Sequence, residues 1–174
     1  MMLPRSRLPA LSLPSAGAII KRRSPPSIGH LRFPVRWRSR SSFSSIVRAW
    51  RGDDAIAVEQ ANRALRLSPF DPLLYLPYVG LAYAHFAAGR FEETVAAASL
   101  ATQSNPRFSV PQILHTAALG CLDRIHEAKA AVQRLLELQP GHTVAAAILS
   151  ARYVDPKNIA ALADALRRAG LPEG

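Results

Sequence analysis

Residues 78–106 read YVGLAYAHFAAGRFEETVAAASLATQSNP, and this stretch decides the fold. Gly89 separates two alanine-rich segments, and Pro106 ends the second of them. In the first segment, apolar residues recur at helical spacing, as in the step from Tyr78 to Ala82. The pattern predicts two helices that are joined by a tight turn at Gly89 and stopped by the proline.

The same organisation recurs on both sides of this stretch. In each copy a glycine or aspartate opens the second helix, and a proline follows it after 17 residues. The three pairs are Gly52 and Pro69, Gly89 and Pro106, and Asp123 and Pro140. The closing prolines lie 37 and 34 residues apart. Such a period indicates a helical repeat protein, whose units stack to bury one continuous core.

The period and its pattern resemble the tetratricopeptide repeat, a pair of antiparallel helices. The middle copy has the turn glycine and the final proline of that family, with Thr94 where alanine is usual. The last copy has Thr116 at the small position of the first helix and Asp123 at the turn. The resemblance implies an all-α solenoid of about two and a half repeats with C-terminal capping helices.

The first copy has only its second helix in this pattern. Its first helix would need apolar anchors at positions that are occupied by Ser41, Ser44, Ser45 and Arg48. We therefore expect the helical repeat domain to cover residues 46–174, behind a separate head of residues 1–45.

Two capping helices are expected after Pro140, over residues 142–153 and 156–169. Asp155 provides an N-cap for the last helix, and Gly170 provides its C-terminal stop. The apolar positions of this helix are Ile159, Leu162 and Leu166, and its polar positions are Asp164, Arg167 and Arg168. This separation predicts a solvent-facing end cap for the solenoid.

Three short runs are similar to the repeat region that follows the catalytic domain of bacterial class III adenylate/guanylate cyclases. They are ALRLSPFDP (64–72), AYAHFAAGRF (82–91) and LRRAGLP (166–172). The similarity covers residues 46–174, and no part of the chain resembles the catalytic domain. It implies a regulatory or protein-interaction module, cut from a larger cyclase-like signalling protein.

The basic charge of the chain comes from its head. Residues 1–52 contain 11 of the 22 Lys and Arg and no Asp or Glu, while the whole chain carries +10. Prolines, serines and arginines over residues 1–45 predict disorder. Three interpretations remain open: a transit peptide, a basic arm that binds nucleic acid phosphates, and an artefact of the start codon or reading frame.

No catalytic or cofactor motif is found in the sequence. Cys121 is the only cysteine, so neither an intrachain disulfide nor a cysteine-based metal cage is expected. There is no phosphate-binding glycine loop and no metal-binding histidine motif. We predict a non-enzymatic, cytoplasmic protein with no cofactor, no metal, no small-molecule substrate and no membrane span.

The resemblance implies that a protein or peptide partner binds in a concave groove lined by the first helix of each repeat. The expected lining is apolar and aromatic, and consists of Leu76, Val79, Tyr83, Phe86, Val110, Ile113 and Ala117, with Gly80 and Gly120 between them. Some members grip acidic peptide C-termini with Lys, Asn and Arg in the groove, and these residue types are missing here. The alternative is a nucleic-acid-associated protein, with binding confined to residues 1–45.

Overall fold

In the computed structural model, residues 38–150 and 155–174 are described, and within them all regular structure is helical. The helices are α1 (Arg38–Trp50), α2 (Asp54–Leu67), α3 (Tyr75–Ala87), α4 (Phe91–Ser104), α5 (Ser109–Cys121), α6 (Ile125–Leu138), α7 (Val144–Ser150) and α8 (Pro156–Ala169). No helix in this part of the chain is long and apolar enough to cross a membrane. The expectations for residues 1–37 lie outside the described residues.

The first six helices form three helical hairpins, α1 with α2, α3 with α4, and α5 with α6. Each new hairpin packs on the one before it, because α3 contacts both α1 and α2, and α5 contacts α4 and α3. Alanines make up much of the buried surface, among them Ala57, Ala82 and Ala98. Their small side chains let neighbouring helices approach closely, and the chain is the helical solenoid that the sequence predicts.

The three turns between paired helices have one geometry. Gly52, Gly89 and Asp123 have φ values of 80°, 71° and 58°. In each turn the amide of this residue donates to the carbonyl three residues back, and the next amide donates to the carbonyl five residues back. Aspartate tolerates a positive φ better than most residues, so Asp123 serves where the other copies have glycine.

Threonine replaces the usual small residue twice, and both side chains are fully buried. The hydroxyl of Thr94 donates to the Arg90 carbonyl at 2.9 Å, and that of Thr116 donates to the Gln112 carbonyl at 2.8 Å. Each hydroxyl thus finds a partner within its own helix, four residues back. A buried hydroxyl without such a partner would cost about 1–3 kcal/mol, so the bonds explain why threonine is accepted.

The first hairpin is complete, which corrects the sequence-based boundary at residue 46. Helix α1 begins at Arg38, within the stretch assigned to a disordered head. Ser45 is fully buried against Gly80 of α3, so closely that a Cβ added at residue 80 would clash with the serine side chain. Ile46 and Ala49 of α1 are also buried. A serine at a close helix contact serves as a small residue, so the solenoid has three repeats rather than two and a half.

The C-terminal tail, residues 171–174, connects the end of α8 to the start of α7. The amides of Val144 and Ala145, at the start of α7, donate to the carbonyls of Pro172 and Glu173 at 2.8 and 3.1 Å. The described part of α7 is shorter than the predicted helix 142–153, of which residues 151–154 lie outside the described residues.

Helix α8 has the bounds that its capping signals predict. The carboxylate of Asp155 accepts the Lys157 amide at 3.0 Å, and Pro156 occupies the first turn, where a missing amide costs little. Gly170 ends the helix with a φ of 89°. Asp155 thus sets the start of α8 by capping it, and Gly170 sets its end because glycine adopts a positive φ easily.

A chain that starts at residue 46 should melt at least about 5 °C below one that starts at residue 38. The shorter chain loses the first half of α1, including buried Ser45 and the Ser44 hydroxyl that donates to Gln60 at 2.7 Å. Thermal melts of the two truncated chains, followed by circular dichroism, provide the measurement. Equal melting temperatures would show that α1 contributes nothing before Ile46.

Candidate functional site

Helix α8 packs mainly on α5 and also contacts α6, so it lies chiefly on the third hairpin. Its N-terminal half approaches α3 and α1 across a small gap. A gap of only about 10 Å³ remains where these helices meet, lined by Ala49, Tyr83, Phe86, Ala87, Leu114, Asn158 and Leu162. We call the side of α1, α3 and α5 that meets α8 the A-helix face.

The tightest point of this contact is the crossing of α8 over α5. A Cβ built on Gly120 would lie 2.5 Å from the carbonyl oxygen of Ala165 and 3.1 Å from its carbonyl carbon. No real Cβ approaches backbone atoms so closely, so position 120 requires glycine as long as α8 is seated. Gly120 was expected to line an open groove, and its neighbour in the structure is the backbone of α8.

Helix α8 caps the third hairpin, as the sequence predicts. The helix does place Leu162 and Leu166 inside and Asp164, Arg167 and Arg168 outside. However, an end cap stacked on the third hairpin alone would not share a gap with residues of α1 and α3. The amphipathic pattern fixed which side of α8 is buried, but several apolar surfaces could have received that side.

The seven residues expected to line an open groove are mostly buried. Five of them are less than 7% exposed, namely Leu76, Val79, Phe86, Ile113 and Ala117, and Tyr83 and Val110 are partly buried. They separate into two groups, because Leu76 and Val79 pack with Ile46 and Ala101. Only Tyr83 and Phe86 share the gap with α8. Helix α8 therefore covers the part of the expected groove that lies at Tyr83 and Phe86.

The two aromatics of this face are held by other rings of the chain. Tyr83 meets Trp50 edge to face, with ring centroids 6.0 Å apart. Burial raises the pKa of Tyr83 to about 12, because the phenolate would be desolvated, and the Trp50 side chain beside it opposes this rise. Phe86 packs edge to face on Phe91 at 5.5 Å.

Cys121 follows Gly120 at the end of α5 and lies near Arg168 of α8. Burial raises the pKa of this thiol, and the positive charge of Arg168 only partly offsets the effect. A thiol whose pKa is raised is a poor nucleophile, because the thiolate is the reactive form. Cys121 thus belongs to the contact between α5 and α8.

A second cleft, of about 250 Å³, lies between α4, α5 and α6. It is lined by Ser99, Thr102, Gln103, Gln112, His115, Ala131 and Arg134. Burial lowers the pKa of His115, as do the positive charges of Arg134 and Arg124, while Glu127 acts in the opposite direction. The cleft lining contains no carboxylate, so His115 has no partner there that would make it a general base.

Among the described residues, no group of three or more His, Cys, Asp or Glu side chains is placed to hold a metal ion. His85 and His115, on neighbouring first helices, face different charges. His85 is influenced by Arg90 and Glu93, and burial lowers its pKa.

Comparison with solved structures identifies the fold. The chain is similar to the first TPR of Spaghetti (RPAP3) bound to the HSP90 peptide SRMEEVD, with a TM-score of 0.55 and 20% identity over 76% of this chain and 94% of that one. It is also similar to the Sgt2 TPR domain from Aspergillus fumigatus, with a TM-score of 0.55 and 18% identity over 78% and 80%. The chain has the tetratricopeptide fold. No protein-family model and no curated protein matches it in sequence.

The tetratricopeptide fold explains the order of the helices. In this fold the first helices of successive repeats line one side and the second helices line the other, so α1, α3 and α5 share a face. The sequence identified these helices and their aromatics as the candidate site. The sequence did not predict that α8 packs on this side. The signal for the contact is Gly120, whose missing side chain leaves room for the backbone of α8 at Ala165.

Acidification should lower the stability of the fold through His115. Burial and nearby arginines hold its pKa below that of the unfolded chain. Below pH 6.5 the unfolded state therefore binds a proton that the folded state does not, and the free energy of unfolding falls as the pH falls. Urea denaturation of the wild type and of His115→Gln between pH 7.5 and 5 tests this. The variant should show a shallower pH dependence, and an unchanged slope would contradict it.

Proposed function

We propose that this protein is a non-enzymatic protein-interaction module that binds a helical segment of a partner protein on its A-helix face. The observation that carries this proposal is that the face already holds an amphipathic helix: α8 packs on α5 and shares a small gap with residues of α1 and α3. Laying the apolar side of a helix on such a surface is a common mode of peptide recognition. Of the seven residues expected to line the groove, Tyr83 and Phe86 lie at the contact with α8, and these two are proposed to meet the partner.

The chemistry of the face favours an apolar partner over an acidic one. The first TPR of Spaghetti was solved with the peptide SRMEEVD, which carries three carboxylate side chains. In the present chain, the residues of α1, α3 and α5 around the gap are Ala49, Tyr83, Phe86, Ala87 and Leu114, none of them basic. We therefore propose binding through buried apolar area and aromatic contacts rather than through a carboxylate clamp.

The environments of the reactive side chains support a non-enzymatic function. The Cys121 thiol has a raised pKa, and no acidic group lines the cleft of His115. The proposal includes no cofactor, metal or small-molecule substrate, and it places the module in the cytoplasm, where Cys121 would stay reduced.

We also propose that the module acts within a larger cyclase-like signalling protein, on the strength of the three similar runs at 64–72, 82–91 and 166–172. Genomic DNA around the coding sequence, read in all frames, tests this proposal. A frame that encodes a cyclase catalytic domain next to the module is expected, and flanking DNA with no such frame would contradict it.

A second candidate function rests on the charge of the first 52 residues, which include 11 Lys and Arg and no acidic side chain. Such a segment would bind nucleic acid through its phosphates, with an affinity that falls steeply as salt is added. Binding of a labelled oligonucleotide at 50 and 200 mM salt, with and without residues 1–37, tests this alternative. Binding that is insensitive to both changes would exclude it.

The experiment for the main proposal is a selection of 20-residue peptides against the immobilised full chain. Selected peptides carrying a photo-reactive group are then cross-linked to the chain, and the attachment sites are mapped by mass spectrometry. We expect one peptide per chain, attached to α1, α3 or α5 near Ala49, Ala87 or Leu114. Attachment only around Arg134, in the cleft between α4, α5 and α6, would contradict the proposed site.

A further inference from the structure

We propose that α8 is a built-in competitor for the A-helix face, which a partner helix of the same pattern displaces. The inference rests on the proposed function and adds the chemistry of the partner and the regulation of the site. The partner would be an amphipathic helix with leucines four residues apart, as in Leu162 and Leu166, and with a small residue facing Gly120, as in Ala165.

Helix α8 crosses α5 and continues toward α3. Its Ala165 crosses α5 at Gly120, and its Leu162 borders the same small gap as Tyr83 and Phe86 of α3. At its C-terminal end, Ala169 and Gly170 border α6 beside Val132. A helix that crosses one repeat and continues toward the next lies as a bound helix would lie.

Few polar side-chain contacts of the described residues join α8 to the hairpins. The carboxylate of Asp155 bonds within α8, and Arg167 pairs with Asp164 and Glu173 of the same C-terminal segment. Arg168 lies near Cys121 of α5, and Lys157 lies near Asp54 of α2; burial raises the pKa of both neighbours, and each positive charge lowers it in part. Leu162 and Leu166 are buried on the apolar side of α8, and another helix with the same apolar pattern can reproduce their contacts.

Helices α7 and α8 and the C-terminal tail hold together as a unit. Helix α7 packs chiefly on α8, and the tail caps the start of α7 through the carbonyls of Pro172 and Glu173. These contacts do not involve the hairpins, and they can persist when α8 leaves the face. The hairpins in turn bury Ala57 and Ala101 in core clusters that contain no residue of α8.

The test uses the full chain and a fluorescent peptide of residues 155–174. In the variant Leu162→Asp/Leu166→Asp, the chain's own α8 can no longer bury its apolar side, while the face stays unchanged. The variant should bind the peptide at least about tenfold more tightly than the wild type, in which α8 competes from a high effective concentration. The matched control is Ala160→Asp/Ala161→Asp, which adds the same charge on the exposed side of α8 and should bind like the wild type.

Adding Gly120→Leu to the Leu162→Asp/Leu166→Asp variant should abolish peptide binding, because the new side chain fills the crossing point. Peptide binding that survives this change would place the peptide elsewhere and overturn the inference. A Leu162→Asp/Leu166→Asp variant that loses the helicity of the hairpins, or that keeps it and fails to bind the peptide, would overturn it equally.

Hydrogen exchange of the unmodified chain gives an independent measurement. If α8 leaves the face while the hairpins stay folded, its amides should exchange at least about tenfold faster than those of α3 and α5. Equal protection would mean that α8 opens only on global unfolding and is a permanent part of the core. In that case the inference fails, while peptides selected in the earlier experiment and cross-linked to α1 or α3 would still support the proposed function.

Discussion

Ala128→Arg is expected to unfold the third hairpin, at a cost of more than about 4 kcal/mol. Ala128 is fully buried on α6, one turn from the αL turn residue Asp123. An arginine at this position would bring an unpaired cation into the core and push α6 away from α5. Circular dichroism melts and urea denaturation should show a large loss of stability.

Ala130→Arg is the matched control, since Ala130 lies two residues further along α6 and is exposed. It should change the free energy of unfolding by no more than about 0.5 kcal/mol. If Ala128→Arg is as mild as this control, the repeat register that places Ala128 in the core is wrong.

Phe86→Ala is expected to destabilise the chain by about 3–5 kcal/mol. The ring of Phe86 is 6% exposed, packs on Phe91, and borders the gap under Leu162 of α8. Chemical denaturation followed by circular dichroism measures the loss. If Phe86 were exposed and free to bind a partner, its replacement would cause little loss of helicity. The large expected loss of stability follows from the burial of Phe86 in the folded chain.

Phe70→Ala removes the same ring from a position that is 94% exposed. Its effect should stay within about 0.5 kcal/mol. Comparable losses in the two variants would show that the burial of Phe86, and with it the packing of α3 against α8, has been misassigned.

The repeat architecture could be predicted because it depends on local signals. The glycine or aspartate at each turn adopts a positive φ, and the 17-residue offset to proline fixes the length of each second helix. Thr94 and Thr116 departed from the family pattern without consequence, because each hydroxyl bonds within its own helix. Hydrogen bonds of this kind depend on neighbours in sequence.

Helix α1 could not be predicted, because its packing uses serine in place of an apolar anchor. Ser45 is acceptable only because Gly80, 35 residues later, leaves room for it. A pattern that counts apolar residues therefore finds no helix before Ile46. The reason lies in a contact between two helices and not in either helix alone.

The site was predicted only in part, for a similar reason. The aromatics Tyr83 and Phe86 do lie where the first helices meet another element. The sequence gives α8 an apolar side but not the surface that receives it, since the choice depends on the shape at Gly120 and Ala165. Shape complementarity between distant segments has no local signature.

Amide chemical-shift mapping of the isotope-labelled full chain, with and without a selected partner peptide, tests the central claim most directly. We expect changes along the A-helix face, at Ala49, Ala87, Leu114 and Gly120, together with loss of the helical shifts of α8. Changes confined to the cleft around His115, or an α8 whose shifts stay unchanged while peptide is bound, would contradict the claim that the partner takes the place of α8 on this face.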